Sequence, residues 1–387
     1  HCPSTTCAPS AARPSLRMNN KKEGFVMAKQ RDPVLDSMRG IGIVLMVLGH
    51  AGFPGSSFIY LFHMALFFML SGWFFSPHTG ESAHRLARFA KRKVVTLWLP
   101  FVAANTVYTL LTDLFLKVNI LTGDERILDL PGNLVTTPVT IKDIIGRTAH
   151  WSVFDGGTQL GGAMWFIQAL FQISLLYAGV EFLLKKLLRS GDTLIPQGLL
   201  AGVLLWLGWQ AQRIGWNVWG LGIAASCYCL FYLGVVLHRV QHPHGPARGA
   251  LCCSGAFVVL LVLGQFGSVG LAGNSYPGPL YLLAASLAGW MLVYEGAHLL
   301  ARVPAVSGAF SALGRATMPI VILHFLAFKP VTWLGLLATG GESYLLAAFP
   351  IYFTSGAWWV AYTAAGLALP LLAYAVWVRL KKAVRRG

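Results

Sequence analysis

Ten hydrophobic runs divide this chain, near residues 34–52, 58–76, 94–116, 163–184, 194–211, 218–237, 249–267, 279–299, 316–338 and 356–379. Each has about the 17–25 residues that a helix needs to cross a bilayer. Only 11% of the residues are charged and 56% are hydrophobic, whereas a soluble domain carries about 25% charged residues. We therefore expect an all-α integral membrane protein, a bundle of about ten transmembrane helices. Its 387 residues are taken up by spans rather than by several soluble domains. A shorter apolar run, 344–354, contains Pro350 and reads either as a half-embedded segment or as part of the last hairpin.

The formal net charge is +16. In a soluble chain that would suggest nucleic acid, but no Lys/Arg stripe is interleaved with exposed aromatics, so we expect no nucleic-acid partner. Most cations fall in short connectors on one side of the bundle: 29–32, 85–93, 185–189, 238–248, 302–315 and 379–386. The other connectors, 53–57, 117–162, 212–217, 268–278 and 339–343, hold few cations, and 117–162 carries several acids. The positive-inside rule then puts both termini in the cytoplasm and makes 117–162 an external loop. Residues 1–26 lack the apolar core of a signal peptide. We expect 1–30 to be a disordered extension, with Met27 as the native start, and 31–387 to be the membrane domain. Cys227, Cys229, Cys252 and Cys253 sit in hydrophobic runs at spacings that suit no zinc site, so they read as small core residues, and no metal is expected. No Walker loop, nucleophile elbow or zinc-helix motif is present.

Arg39 and His50 share the first span. Eleven steps of about 100° return a helix to within roughly 20° of its starting face, and about 1.5 Å per residue puts His50 roughly 16 Å deeper. A titratable group inside a span is costly and is by default a functional-site hypothesis. Asp36, three residues before Arg39, can pair with it across one turn; that accounts for Arg39 structurally but leaves His50 unexplained. His63 follows after a short turn, so it either faces one pocket with His50 or caps the hairpin. Ser71-Gly72 marks either a bend or a close helix contact. Arg85, Arg88 and Arg92 project from one helical face. They serve either as juxtamembrane anchors or as a phosphate clamp, for which the planar guanidinium is suited. Trp165, Gln168 and Gln172 stand where the external loop re-enters the membrane, Trp151 lies in that loop, and His324 is mid-span. Glu295 and His298, near a span end, read as interfacial.

Asp36, Arg39 and Gly40 followed by Gly49-His50, then Phe62-His63-Met64, Leu66-Phe-Phe and Leu70-Ser-Gly72, resemble the opening of the acyltransferase 3 family of multi-span O-acyltransferases. The family's Arg/Lys-x10-His pattern falls on Arg39 and His50, and its Arg-x-x-Arg pattern on Arg85 and Arg88. Trp165-Phe166 and the stretch from Gly314 to His324 match more loosely. The brief connectors look most like the fucose 4-O-acetylase-like branch, and the resemblance runs from about residue 32 to the end. One departure is Ala65-Leu66 after the His-Met pair, where a proline is common.

The resemblance implies transfer of an acetyl group from cytoplasmic acetyl-CoA to a sugar hydroxyl of an extracytoplasmic or lipid-linked glycan, in a bacterial cytoplasmic (inner) membrane. His50 would be general base or transient acyl carrier, with Asp36 and Arg39 at the inner end of the donor channel. Arg85, Arg88 and Arg92 would hold the nucleotide phosphates. His63 and His324 would polarise the thioester or orient His50, and Trp165, Gln168 and Trp151 would contact the acceptor. The expected partners are acyl-CoA, a glycan or glycolipid, and membrane lipid. Two other readings are a multi-span transporter or flippase exporting a glycan or small molecule, and a non-catalytic acyl sensor that would keep full activity in His50→Ala.

Overall fold

The computed structural model describes residues 32–188 and 192–384; the expected extension 1–30, with Met27, lies outside them. Among the described residues the regular elements are helices, and nine helical stretches are long and apolar enough to cross a membrane. In chain order the helices are α1 Pro33–His50, α2 Ser56–Tyr60, α3 His63–Trp73, α4 Ala83–Lys93, α5 Leu99–Leu110, α6 Thr112–Lys117 and α7 Ile141–Ser152. They continue as α8 Trp165–Leu188, α9 Leu194–Arg213, α10 Leu221–Val240, α11 Pro246–Phe266, α12 Pro279–Leu300, α13 Pro304–Arg315, α14 Thr317–Thr339 and α15 Trp358–Val384.

The third expected span, 94–116, is not one helix. A wide turn over Val94–Trp98 precedes α5, and Leu111 (φ −88°, ψ 1°) separates α5 from α6. Pro100 stands in the first turn of α5 and has no N–H to give the preceding turn, so the ladder widens there. With this segmented pass, the described residues make ten passes of the kind expected from the hydrophobic runs, nine of them as long apolar helices.

Glycines set the packing around α1 and α3. A Cβ on Gly40 would collide with the carbonyl oxygen of Phe310 on α13, and one on Gly314 with that of Asp36. Similarly, Gly72 of α3 meets the Phe231 carbonyl, and Gly234 of α10 meets the Met69 carbonyl. Small residues let helix backbones approach in this way inside a membrane. Gly72 therefore marks a close contact and not a bend, because α3 runs through it uninterrupted. The 302–315 stretch, expected as a basic connector, is mostly α13, laid along the basic half of α1 with Ser37 Oγ donating to the Ser307 carbonyl at 3.1 Å. Glu295, expected at an interface, is fully buried on α12 and pairs with His244 at 2.6 Å.

Candidate active site

Three cavities line up along the seam of α1 and α3. The largest, about 610 Å³, opens on the basic face and gathers Arg39, Arg85, Arg88, Arg92 and Lys93 with His78. Above it lies a passage of about 10 Å³ lined by Ile43, Met46 and His50 of α1, Met64 and Phe67 of α3, and Trp165, among others. Arg39, Ile43, Met46 and His50 fall at i, i+4, i+7 and i+11, so a single stripe of α1 runs from one cavity into the next. His50 also lines a third cavity, about 390 Å³, opening on the opposite face between Asn133 and the segment containing Phe349, Pro350 and Tyr352. The imidazole thus borders both the narrow cavity and the outer one.

Arg39 is positioned from two sides. Its Nη1 donates to Asp36 Oδ1 at 3.0 Å, and its Cζ lies 4.3 Å from the centre of the Phe74 ring. Asp36 is itself buried and lines none of the three cavities, so it acts on the site through Arg39. On α4, Arg85 pairs with Glu81 at 2.7 Å. His78, hydrogen-bonded to Glu81 ahead of Arg85, holds that carboxyl below the usual carboxylate range. Arg88 contacts His84 Nε2 at 2.7 Å. Lys93 was not singled out in the sequence; burial, then Arg92 and Arg39, depress its ammonium to about 8. Like charges crowded at one cavity wall cost energy in the absence of an anion.

His324 on α14 stands beside His50, with ring centres 5.3 Å apart and planes at 84°. Its Nδ1 lies 2.9 Å from the Ile320 carbonyl and 3.1 Å from that of Val321. A carbonyl only accepts, so Nδ1 carries the proton, and Nε2 is left as a lone pair, buried and without a partner among the described residues. A lone pair cannot polarise a thioester carbonyl but can accept a hydrogen bond, which suits a group that orients His50. His324 lines none of the three cavities. His63 does not share a pocket with His50 either. Its Nδ1 bonds the Ile59 carbonyl at 3.0 Å, and the Tyr60 ring lies 5.2 Å from His63 and 6.5 Å from His50.

Of the three expected acceptor residues, Trp165 and Gln168 line one cavity of about 300 Å³ together with Phe154, Asp155 and Trp219, and Trp151 lies elsewhere. Trp165 also lines the narrow passage with His50. Gln168 is committed to backbone, its Nε2 donating to the Trp219 carbonyl at 2.6 Å and the Phe154 carbonyl at 3.3 Å. With Gln172 it pins the corner where Trp219 takes φ 51°. Trp151 lines a separate cavity formed by the external loop. The outer wall of His50's own cavity, by contrast, comes from Asn133 and the 349–354 segment, which the sequence left open. A lysine holds that segment in place: Lys329, 3% exposed inside α14, donates from Nζ to the carbonyls of Leu346, Ala347 and Ala348 at 3.0, 3.1 and 2.8 Å. An ionisable residue in the middle of the 316–338 run was the signal that sequence reading passed over.

A family model described as an acyltransferase domain, Acyl_transf_3, matches residues 32–375, a stretch that contains every residue lining the three cavities. The chain belongs to the acyltransferase 3 family. No curated protein and no solved structure matches it. As an acyltransferase 3 protein it is an integral membrane acyltransferase, and the Arg39/His50 stripe of α1 is shared between its basic cavity and its narrow passage.

Proposed function

We propose that this acyltransferase takes an acetyl group from cytoplasmic acetyl-CoA and delivers it to a sugar hydroxyl of an extracytoplasmic or lipid-linked glycan, in a bacterial cytoplasmic (inner) membrane. The observation that carries the proposal is His50, which lines both a narrow cavity one turn of α1 beyond the Arg39 end and the outer cavity beside Asn133 and the 349–354 segment. A donor and an acceptor held on opposite sides of a membrane need one reactive group within reach of both.

Arg85, Arg88 and Arg92, with Arg39 and Lys93, would hold the CoA phosphates; the cavity of about 610 Å³ falls within the roughly 300–1,000 Å³ of ordinary ligand sites. The pantetheine arm would follow the α1 stripe over the roughly 16 Å of helix rise to His50. Met46 and Met64 line that route, and their flexible thioethers are suited to making room. Acting as base, His50 takes the proton of the acceptor hydroxyl as its oxygen attacks the thioester carbonyl. The C–S bond breaks, the ester forms, and the proton passes from His50 to the departing CoA thiolate. His324 would orient the imidazole through its free lone pair. The passage of about 10 Å³ favours group transfer over export of a whole molecule, since it admits about one water.

The test uses purified protein in sealed vesicles with radiolabelled acetyl-CoA at the basic face and a panel of glycans. Wild type should transfer label; His50→Ala, with an unchanged thermal unfolding profile, should not. A wild type that neither binds acetyl-CoA nor cleaves its thioester would refute the proposal, and glycan movement without acetyl-CoA would point to transport.

A further inference from the structure

The external loop holds a second cavity, about 200 Å³, that the transfer chemistry above does not use. Trp151 and Arg147 of α7 line it, with Thr136, Thr137, Thr158 and Gln159. This volume lies below the roughly 300–1,000 Å³ of sites for drug-sized ligands, so it suits one ring and not a long molecule.

Three features of the lining point to a ligand. The amide nitrogen of Gln159 is buried with no hydrogen-bond partner among the described residues, and a buried donor left unmade in this way calls for an explanation. The Trp151 indole N–H is spent inward on Thr109 Oγ1 at 3.4 Å, so the side chain offers the cavity its apolar ring. Arg147 forms no ion pair among the described residues. Asp143, one turn earlier on α7, accepts from the N–H and hydroxyl of Thr140 through Oδ2 alone, at 2.8 and 2.7 Å, and interacts with the Arg147 charge without a direct contact. An aromatic surface, hydroxyls and an amide together make a lining suited to a sugar ring, and the exposed Arg147 guanidinium, outside any ion pair among the described residues, can add a charge-assisted hydrogen bond to an anion.

Position supplies the second half of the argument. One strap, a turn over 130–133 with Gly132 at φ 80° running into residues 134–137, lines this cavity and that of His50. Leu130, Pro131 and Asn133 face the His50 cavity, and the next four residues, Leu134, Val135, Thr136 and Thr137, face the second. The strap is tied at both sides: Thr136 N–H donates to the Thr122 carbonyl at 2.8 Å, and Asn133 Oδ1 accepts from Phe349 N–H at 2.7 Å. A glycan laid across the strap would put one sugar at His50 and a neighbouring sugar against Trp151.

We propose that the Trp151–Arg147–Gln159 cavity is a recognition subsite for an acidic sugar residue of the acceptor, a carboxylate- or phosphate-bearing ring next to the one that is acylated. This rests on the glycan-acceptor reading above. Full-length protein in nanodiscs, without acyl-CoA, is titrated with glucuronate, glucose 6-phosphate and glucose by saturation-transfer NMR. One acidic sugar should bind at least tenfold more tightly than glucose, and its identity tells carboxylate from phosphate. Arg147→Gln should bring that sugar to the level of glucose, Arg147→Lys should restore most of the difference, and Gln159→Leu should weaken all three sugars. Equal binding of acidic and neutral sugars, no binding at all, or an Arg147→Gln variant indistinguishable from wild type overturns the subsite. Acetyl transfer is assayed in parallel: sugar binding without transfer counts against the proposed function alone, and transfer without sugar binding counts against the subsite alone.

Discussion

Replacing Arg88 or Arg92 with glutamine removes one guanidinium from the wall of the basic cavity and leaves its shape nearly unchanged. The cations there are not equally available. Arg39 is engaged by Asp36 at 3.0 Å and Arg85 by Glu81 at 2.7 Å. Arg88 touches His84, which is no competitor for an anion, and Arg92 forms no ion pair among the described residues. A hydrogen bond from a charged donor is worth about 1.5–3 kcal/mol, and about 1.36 kcal/mol is a tenfold change. Each substitution should therefore weaken CoA binding by roughly 10- to 150-fold. Arg85→Gln should cost less, since a phosphate must first draw Arg85 away from Glu81, and Glu81→Gln should tighten binding. Calorimetry of CoA against protein in nanodiscs measures these constants, and turnover of S-acetylpantetheine, which lacks the nucleotide, is the control. Affinities within twofold of wild type for both variants, or equal losses with S-acetylpantetheine, would refute the assignment and leave the arginines as lipid anchors.

Lys93, depressed to about 8 by burial and its arginine neighbours, is charged below that pH and neutral above it. The KM for acetyl-CoA should be flat up to about pH 7 and rise as pH passes 8, and Lys93→Arg should flatten the rise; a rise that persists in Lys93→Arg assigns it elsewhere. Met46→Phe narrows a passage that already holds only about 10 Å³. Turnover should fall by roughly 100-fold with CoA affinity unchanged, and stopped-flow transfer against binding separates the two. Gly314→Ala drives a methyl group into the Asp36 carbonyl, where backbone on both sides resists; the expected loss of about 1–3 kcal/mol is read by thermal unfolding. Lys329→Met leaves three buried carbonyls without a donor. It should destabilise by about 3 kcal/mol and raise the acceptor KM with acetyl-CoA binding intact; an unaltered acceptor KM would separate Lys329 from the outer cavity.

The stripe from Arg39 to His50 was legible because helix geometry fixes both angle and rise from sequence alone, and the basic cavity followed because arginines at i, i+3 and i+7 share a face. The segmented third pass was less legible: hydropathy averages over 94–116 and does not register the missing N–H of Pro100. The apolar stretch 344–354 could be read two ways because its fold depends on Lys329, some 17–19 residues earlier. Helix α13 looked like a charged connector because its cations outweighed Gly314 and Ser307, the small residues that seat it on α1. The role of Gln168 was hard to read for a related reason. An amide such as Gln168 looks the same in sequence whether it waits for a ligand or holds a neighbouring carbonyl.

The constriction below His50 also bears on the permeability of the membrane. Ile43, Met46, Met64, Phe67, Phe166 and Val321 make its walls mainly apolar, with His50 and Trp165 as the polar exceptions, and a mainly apolar neck this narrow resists the passage of hydrated ions. A donor and an acceptor can therefore be handled at opposite ends of α1 without opening a continuous aqueous path between them. Any widening that admits an acyl chain fills the neck with that chain, so the seal is kept by the substrate itself for as long as it is open.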